Sequence, residues 1–262
     1  MISFVLAYLW GVVIVPTVCI IAKPFLPWFD LDFCFSHFLY SVLDIKHTII
    51  WNAELIESGF ILPNHRCALD FPLDCYITQS TWVARGMAYI AATMSALLIY
   101  LDGRGIVLIR GKDKRQEIYQ RMLSHIETRN KRICFWPEGT RLSYTTLSCK
   151  EEVRSYLKYG LLKEIYNGKQ FPVQLCISSN KEHAFNEKRL HAKRGVPITT
   201  VISRPIHPKD FSRENDFYDE IASVWLDCWT TAYNLPLEKV EPKAKQEPKA
   251  KQEQEQDNKK MQ

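Results

Sequence analysis

Short apolar runs alternate with longer amphipathic segments over most of this chain, and this pattern constrains the fold more than any other feature. Runs rich in β-branched and aromatic residues predict strands at 47–51, 59–62, 82–84, 105–110, 132–136, 172–178 and 198–203. Segments with helical periodicity separate several of them and include 113–128 and 216–233. Strands that alternate with helices predict an α/β fold, in which a mixed sheet is flanked by helices.

The amino terminus differs from the rest because no charged residue occurs between Ile2 and Ala22. A run of this length is about what a helix needs to cross a hydrocarbon core of roughly 30 Å. Pro16 interrupts the run, so both a spanning helix and a re-entrant hairpin are compatible with it. Lys23 and Trp28 suit the membrane interface where the chain would leave the bilayer. We therefore expect residues 1–44 to form an N-terminal membrane-inserted helix or hairpin.

The remaining chain divides into one domain and a tail. Residues 45–235 contain the predicted strands and helices and suffice for one domain of ordinary size. Residues 236–262 include the tandem repeat EPKAKQEPKAKQ and almost no large apolar side chains. Such a segment cannot form a core, so 236–262 is predicted to be a disordered, charged tail.

Charge and cysteine content narrow the classes of function. Between residues 104 and 141 there are ten Lys or Arg residues and four acidic ones, so this region should attract anions. The apolar amino terminus and the lack of a basic module with interleaved aromatic residues argue against nucleic acid as a partner. The eight cysteines contain no Cys-x-x-Cys pair, which predicts no metal site and reduced thiols facing the cytosol.

The segment PNHRCALD, residues 63–70, contains a histidine and an aspartate five positions apart. On a straight helix this spacing would separate the side chains by about 140°. Pro63 and Asn64 favour a break after the strand, and Pro72 is tolerated only in a first helical turn, so the helix should start near residue 69 or 70. Asp70 could then reach His65 across the loop.

A carboxylate on one imidazole nitrogen fixes the ring tautomer and leaves the other nitrogen free to accept a proton. His65 and Asp70 are therefore candidates for a catalytic general base and its partner. A structural histidine at a strand end, followed by an aspartate that caps a helix, would give the same spacing. The pair alone leaves both interpretations open.

Two further segments place candidate binding residues after predicted strands. The predicted strand 105–110 ends in Arg110, and the predicted strand 132–136 is followed by Glu138, Gly139, Thr140 and Arg141. Ligands of α/β sheets bind at the carboxyl ends of strands, so these residues are expected to converge with His65. Gly139 permits a tight turn, and two guanidinium groups suit a phosphate, although each arginine could equally be an ordinary surface residue.

The segments NHRCALD, GIVLIR, FWPEGTR and FPVQL, in this order, resemble the four sequence blocks of the glycerolipid acyltransferases, the 1-acylglycerol-3-phosphate acyltransferase family. The resemblance covers about residues 45–210. It implies a membrane enzyme that transfers an acyl group from acyl-CoA, a co-substrate, to a hydroxyl of a lysophospholipid, with no resident cofactor and no metal. It further implies that His65 is the base, that Asp70 orients it, and that Arg110, Glu138, Gly139, Thr140 and Arg141 bind the acceptor and its phosphate.

Two departures from the family pattern bear on the choice of acceptor. Leu175 stands where members often carry a second proline, and Cys67 replaces a frequent serine. The alternatives are therefore glycerol 3-phosphate, a lysophospholipid with another head group, or a membrane lipid-binding protein without turnover. A serine hydrolase is disfavoured because no Gly-x-Ser-x-Gly segment occurs.

The last residues predict a location. Lys259 and Lys260 lie close to the carboxyl end and resemble the dilysine address of the endoplasmic reticulum. Lys23, on the carboxyl side of the apolar run, favours a cytosolic exit. We therefore expect an endoplasmic reticulum membrane protein whose active site and tail face the cytosol, with membrane lipids as partners.

Overall fold

A computed structural model of the chain describes residues 5–6, 8–26, 31–68, 70–86, 88, 94, 97–98, 101, 103, 105–108, 111, 114–128, 132–142 and 147–234. Within these residues the strands are β1 (Lys46–Trp51), β2 (Gly59–Pro63), β3 (Thr81–Arg85), β4 (Gly105–Leu108), β5 (Arg132–Cys134), β6 (Val173–Ser178), β7 (Phe185–Asn186), β8 (His191–Ala192) and β9 (Pro197–Ile202). Seven of them form a sheet in the order β1-β9-β6-β2-β5-β3-β4, and β7 pairs with β8.

The described helices are a π-helical turn (Leu9–Ile14), α1 (Val15–Ala22), α2 (Leu31–Val42), α3 (Asp70–Thr78), α4 (Arg115–Thr128), α5 (Lys150–Tyr156), α6 (Tyr159–Gly168), α7 (Lys181–Ala184), a 3₁₀ turn (Pro208–Asp210) and α8 (Glu214–Asn234). The predicted helices at 113–128 and 216–233 correspond to α4 and α8, and α3 begins at Asp70, as Pro72 required.

The sheet is mixed, which confirms the predicted fold class. Strands β6, β2, β5, β3 and β4 are parallel, whereas β9 is antiparallel to β6 and parallel to β1. Each predicted strand is present, with small changes at the ends. β5 stops at Cys134 because Pro137, three residues later, has no N–H to donate and the chain turns away there. The predicted end of β4, residues 109–110, lies outside the described residues.

Strand β2 lies in the middle of the sheet and all five of its residues are buried. Successive side chains of a strand point to opposite faces. Phe60 and Leu62 accordingly enter the large core beneath α4, α6 and α8, where Trp225 is fully buried. Ile61 enters a second cluster on the other face, with Trp82 and Ile202. Because β2 is buried on both faces, it fixes the position of the first residues of the loop that follows it.

The amino-terminal helices pack closely against each other. A Cβ atom on Gly11 would stand 2.5 Å from Cδ2 of Leu39 in α2, so a larger residue would require the Leu39 side chain to shift. Helix α1 and the turn that follows it expose apolar side chains, among them Val18, Ile21 and Phe25. No helix in the described part of the chain combines the length and the apolar character needed to cross a membrane. The tail predicted at 236–262 lies outside the described residues.

Candidate active site

His65 and Asp70 meet across the loop that joins β2 to α3. β2 ends at Pro63 and α3 begins at Asp70, and in the intervening loop Nδ1 of His65 lies 2.8 Å from Oδ2 of Asp70. The Asp70 side chain is buried, whereas the His65 side chain is 24% exposed. The loop between β2 and α3 thus brings together two side chains that a continuous helix would separate.

The Asp70 carboxylate is held by several donors besides the imidazole. Its Oδ2 accepts hydrogen bonds from the backbone N–H of Arg66 and from the backbone N–H of Cys67 at 3.0 Å. Its Oδ1 accepts the thiol of Cys67 at 3.2 Å. These donors precede α3 and do not belong to its first turn, so the carboxylate holds the loop around His65 and is not shown to cap the helix.

The His65 ring is oriented by Asp70 at one edge and by Trp136 on one face. It stacks on Trp136, with ring centroids 5.2 Å apart and an interplanar angle of 29°. Because Nδ1 faces Asp70, the other ring nitrogen, Nε2, is the one that can meet a substrate. Among the described residues none is bonded to Nε2.

The segment that follows β5 brackets the backbone of His65. The buried Glu138 carboxylate accepts the N–H of His65, and the N–H of Leu142 donates to the His65 carbonyl at 3.2 Å. Gly139 turns the chain between them, with a φ of +67° that glycine adopts without strain. Thr140 is exposed at the same turn. The turn thereby fixes the position of the histidine.

Arg141 lies on the same rim but is engaged by an acidic side chain. Its Nη1 lies 2.5 Å from Oε1 of Glu187, and the other oxygen of Glu187 accepts the N–H of Ala68 at 3.1 Å. Glu187 follows β7, so it ties the small β7–β8 hairpin to the loop between β2 and α3. Arg110, the second arginine predicted here, lies outside the described residues.

Comparison with solved structures places this architecture among known folds. The chain is similar to the crystal structure of the 1-acyl-sn-glycerophosphate (LPA) acyltransferase PlsC from Thermotoga maritima, with a TM-score of 0.59, 17% sequence identity, and coverage of 76% of this chain and 77% of that chain. The two proteins share a fold. No protein-family profile matches the sequence, and no curated protein matches it significantly. The shared fold agrees with the resemblance of the four sequence blocks.

A buried ion cluster beneath the loop between β2 and α3 was not predicted from the sequence. The ammonium of Lys181, at the start of α7, lies 3.0 and 3.1 Å from the two carboxylate oxygens of Asp74, 2.8 Å from the Asn64 carbonyl and 3.4 Å from Oδ1 of Asp70. All of these side chains are buried. The signal available for Asp74 was its spacing of four residues from Asp70 on one helix face. The sequence around Lys181 carries no corresponding signal.

The two carboxyl groups respond differently to sharing one ammonium. Burial alone would raise the pKa of Asp70, but Lys181, the His65 ring and the backbone N–H of Arg66 lower it to about 2. Burial, together with the negative charge of Asp70, raises the pKa of Asp74 to about 7 despite the contact with Lys181. We expect Asp70 to be the member that stays ionised, because it accepts more hydrogen bonds.

Proposed function

We propose that the protein transfers a fatty acyl group from acyl-CoA to a hydroxyl of a lysophospholipid, with 1-acylglycerol-3-phosphate as the acceptor and phosphatidic acid as the product. The observation that carries the proposal is the 2.8 Å contact between Nδ1 of His65 and Oδ2 of Asp70, which leaves Nε2 accessible on a partly exposed ring. The fold shared with a 1-acyl-sn-glycerophosphate acyltransferase supports it.

In the proposed reaction Nε2 of His65 accepts the proton of the acceptor hydroxyl as its oxygen attacks the thioester carbonyl. Asp70 keeps the other ring proton on Nδ1 and stabilises the imidazolium that forms. The carbon–sulfur bond then breaks, and the coenzyme A thiolate takes the proton back from the imidazolium. A thioester already contains a good leaving group, so a base that holds the acceptor in place is sufficient and no covalent intermediate is required.

The proposal is tested by incubating the full chain in detergent with acyl-CoA and a panel of acceptors. The panel contains 1-acylglycerol-3-phosphate, glycerol 3-phosphate and lysophospholipids with other head groups, and acylated products are identified by mass spectrometry. Acyl-(acyl carrier protein), offered in parallel, separates the two thioester donors. We expect an acceptor-dependent diacyl product from acyl-CoA. Lipid binding without a product from any pair would instead support the non-catalytic alternative.

A lysophospholipid with a different head group is the second candidate acceptor. The observation that favours it is Glu187, whose carboxylate lies against Arg141, where an anionic phosphate would otherwise be bound. A carboxylate at this position repels a phosphate and attracts a head group that also carries a positive charge. The acceptor panel distinguishes the two candidates directly.

Exchanges at the Arg141 and Glu187 pair should change the affinity for the acceptor. If Arg141 binds the phosphate, Glu187→Gln removes a competitor, and the KM for 1-acylglycerol-3-phosphate should fall about two- to fivefold, as expected for a partly exposed ion pair of ~0.5–1 kcal/mol. Arg141→Lys loses the planar fork and should raise the same KM about tenfold. The KM for acyl-CoA should change less.

Glu151→Gln, at an exposed position on α5, is the matched control for the charge change. If Glu187→Gln and Arg141→Lys both leave the acceptor KM unchanged, Arg141 and Glu187 do not belong to the acceptor-binding site. A rise in the KM of an acceptor with a positively charged head group in Glu187→Gln would favour the second candidate.

We also propose that the amino-terminal segment inserts in the membrane through its exposed apolar side chains. Val18 and Ile21 lie on one face of α1 and are 59% and 64% exposed. Exposing neighbouring apolar side chains to water is unfavourable, so such a face indicates a membrane or a partner. We expect Val18→Asp with Ile21→Asp to prevent flotation of the protein with phospholipid vesicles. Leu190→Asp, at an exposed apolar position of the β7–β8 hairpin, is the control, and equal flotation of all variants would contradict the proposal.

The proposed location is the endoplasmic reticulum membrane, with the active site in the cytosol. Cys149, Cys176 and Cys228, which lie in the described residues, are free thiols, in agreement with a reducing compartment. Protease treatment of sealed microsomes that contain the protein, tagged after residue 262, tests the orientation. A tag that is protected until detergent is added would contradict it.

A further inference from the structure

We propose that Lys181 and Asp74 are positioning residues for the His65 and Asp70 dyad, and that this buried pair sets the proton affinity of the histidine. The inference deepens the proposed function and rests on it. Neither residue faces the open nitrogen of His65, so neither is expected to contact the substrate. Their effect passes through Asp70, Asn64 and Trp136.

Lys181 holds the dyad from beneath. Its ammonium donates hydrogen bonds to the Asn64 carbonyl at 2.8 Å and to the two Asp74 oxygens at 3.0 and 3.1 Å, and it forms an ion pair with Oδ1 of Asp70 at 3.4 Å. Asn64 is the residue before the histidine, so one ammonium fixes both the backbone next to the base and the carboxylate that orients it. Lys181 has no exposed surface, and a lysine buried to this extent is found almost only when its charge is paired.

Asp74 connects this ammonium to the other face of the His65 ring. Its Oδ2 accepts the indole N–H of Trp136 at 3.0 Å, and Trp136 is the residue on which His65 stacks. Asp74 therefore contacts both supports of the histidine, one charged and one aromatic.

The charges of the cluster decide when His65 can act as a base. Asp70 is ionised, and Asp74, with its pKa raised to about 7, is partly ionised near neutral pH, so the two carboxyl groups and one ammonium carry a net charge between 0 and −1. This negative charge favours protonation of His65. Removing the ammonium stabilises the protonated, imidazolium form of His65, so a higher pH is needed before the ring can act as a base. Removing the Asp74 carboxylate disfavours the imidazolium and lowers that pH.

Other titratable or charged groups around the cluster must remain unchanged in the comparison. They are Arg66, Cys67, His47, Cys176, Glu182 and Tyr233, while Glu138 lies against the backbone of His65. Burial and Lys181 lower the pKa of His47 to about 4, so His47 is neutral near neutral pH. Single replacements at positions 181 and 74 leave each of these groups in place.

The experiment compares wild type with Lys181→Met and Asp74→Asn in detergent. The pKa of His65 is measured from the Cε1–H resonance of ¹³C-labelled histidine, assigned by its absence in His65→Asn, and the acidic limb of kcat/KM is recorded in parallel. We expect Lys181→Met to raise this pKa by about one unit and Asp74→Asn to lower it by less, because the Asp74 carboxyl is only partly ionised near neutral pH. Lys209→Met and Asp210→Asn, both at exposed positions, should shift neither quantity.

The double variant Lys181→Met/Asp74→Asn keeps the inference testable if Lys181→Met does not fold. It removes a full positive charge but only part of a negative one, because Asp74 is partly ionised, so the pKa of His65 should lie above the wild-type value and no higher than in Lys181→Met. Shifts in the same direction for both single variants, no shift in either, or a double variant whose His65 pKa is not above the wild-type value would overturn the inference. If the resonance shifts occur as expected but the wild type shows no turnover, the proposed function alone is refuted. If turnover is normal but the shifts do not occur, the positioning role alone is refuted.

Discussion

Replacement of His65 by alanine is expected to reduce acyl transfer by about 10²- to 10⁴-fold, the contribution of a positioned general base. Nε2 is the nitrogen that can accept the acceptor proton, and nothing else in the described rim is placed to replace it. The fold should persist, because Asp70 keeps the backbone N–H groups of Arg66 and Cys67 and the ammonium of Lys181.

The measurement is kcat for the purified variant at saturating acyl-CoA and acceptor, with the thermal unfolding temperature recorded for both proteins. His183→Ala, at an exposed position on α7, is the matched control and should retain wild-type activity. Partial recovery of His65→Ala activity in added imidazole would identify the lost group as the base. A variant that turns over at near-normal rate would refute the mechanism.

The second large effect is expected from Asp70→Asn, because an amide fits the site in neither orientation. With its NH₂ group at the place of Oδ2, it would face the donors of Arg66, Cys67 and His65. With its NH₂ group at the place of Oδ1, it would face the Lys181 ammonium, 3.4 Å from that oxygen in the wild type. Either arrangement leaves buried donors without acceptors, which costs about 1–3 kcal/mol for each group.

We therefore expect Asp70→Asn to lower kcat by at least about 100-fold and also to lower the free energy of unfolding, unlike His65→Ala. The pKa of the Asp70 carboxyl is lowered to about 2, so its stabilising contribution is fully present above its ordinary value of 3.8 and is lost as the pH falls through about 2. Denaturant unfolding at pH 7 measures the loss, with Asp210→Asn as the exposed control. Unfolding and kcat both close to wild type would contradict the assignment.

The sequence carried most of the information about the strands and little about their arrangement. β2 and β6 were predictable because each is a short run rich in apolar side chains, as expected of a strand buried on both faces. The reversal of β9 against β6 depends on pairing between distant segments, which no local pattern encodes. β7 and β8 contain two residues each, too few to show any periodicity.

The same division applies to the site. The contact between His65 and Asp70 was predictable because Pro63 and Pro72 restrict the backbone between them. The contacts of Lys181 and Glu187 with this loop were not, since both residues lie after β6 and reach the loop only through the tertiary fold. Glu138, interpreted from the sequence as a substrate-binding residue, contacts the backbone of His65, a role that the spacing of residues could not indicate.

The side chain of Asn64 imitates a peptide group. Its Oδ1 accepts the backbone N–H of Ser178 at 2.9 Å and its Nδ2 donates to the Ser178 carbonyl at 2.9 Å, so the β2–β6 ladder gains one rung immediately before His65. These two residues are 114 positions apart in the chain. At a synthesis rate of about 5–20 residues per second, the ribosome makes Ser178 roughly 6–23 s after Asn64. A nascent chain therefore carries the histidine long before it carries the groups that hold it in place, and we expect it to be inert toward thioesters until β6 has been made and has paired with β2.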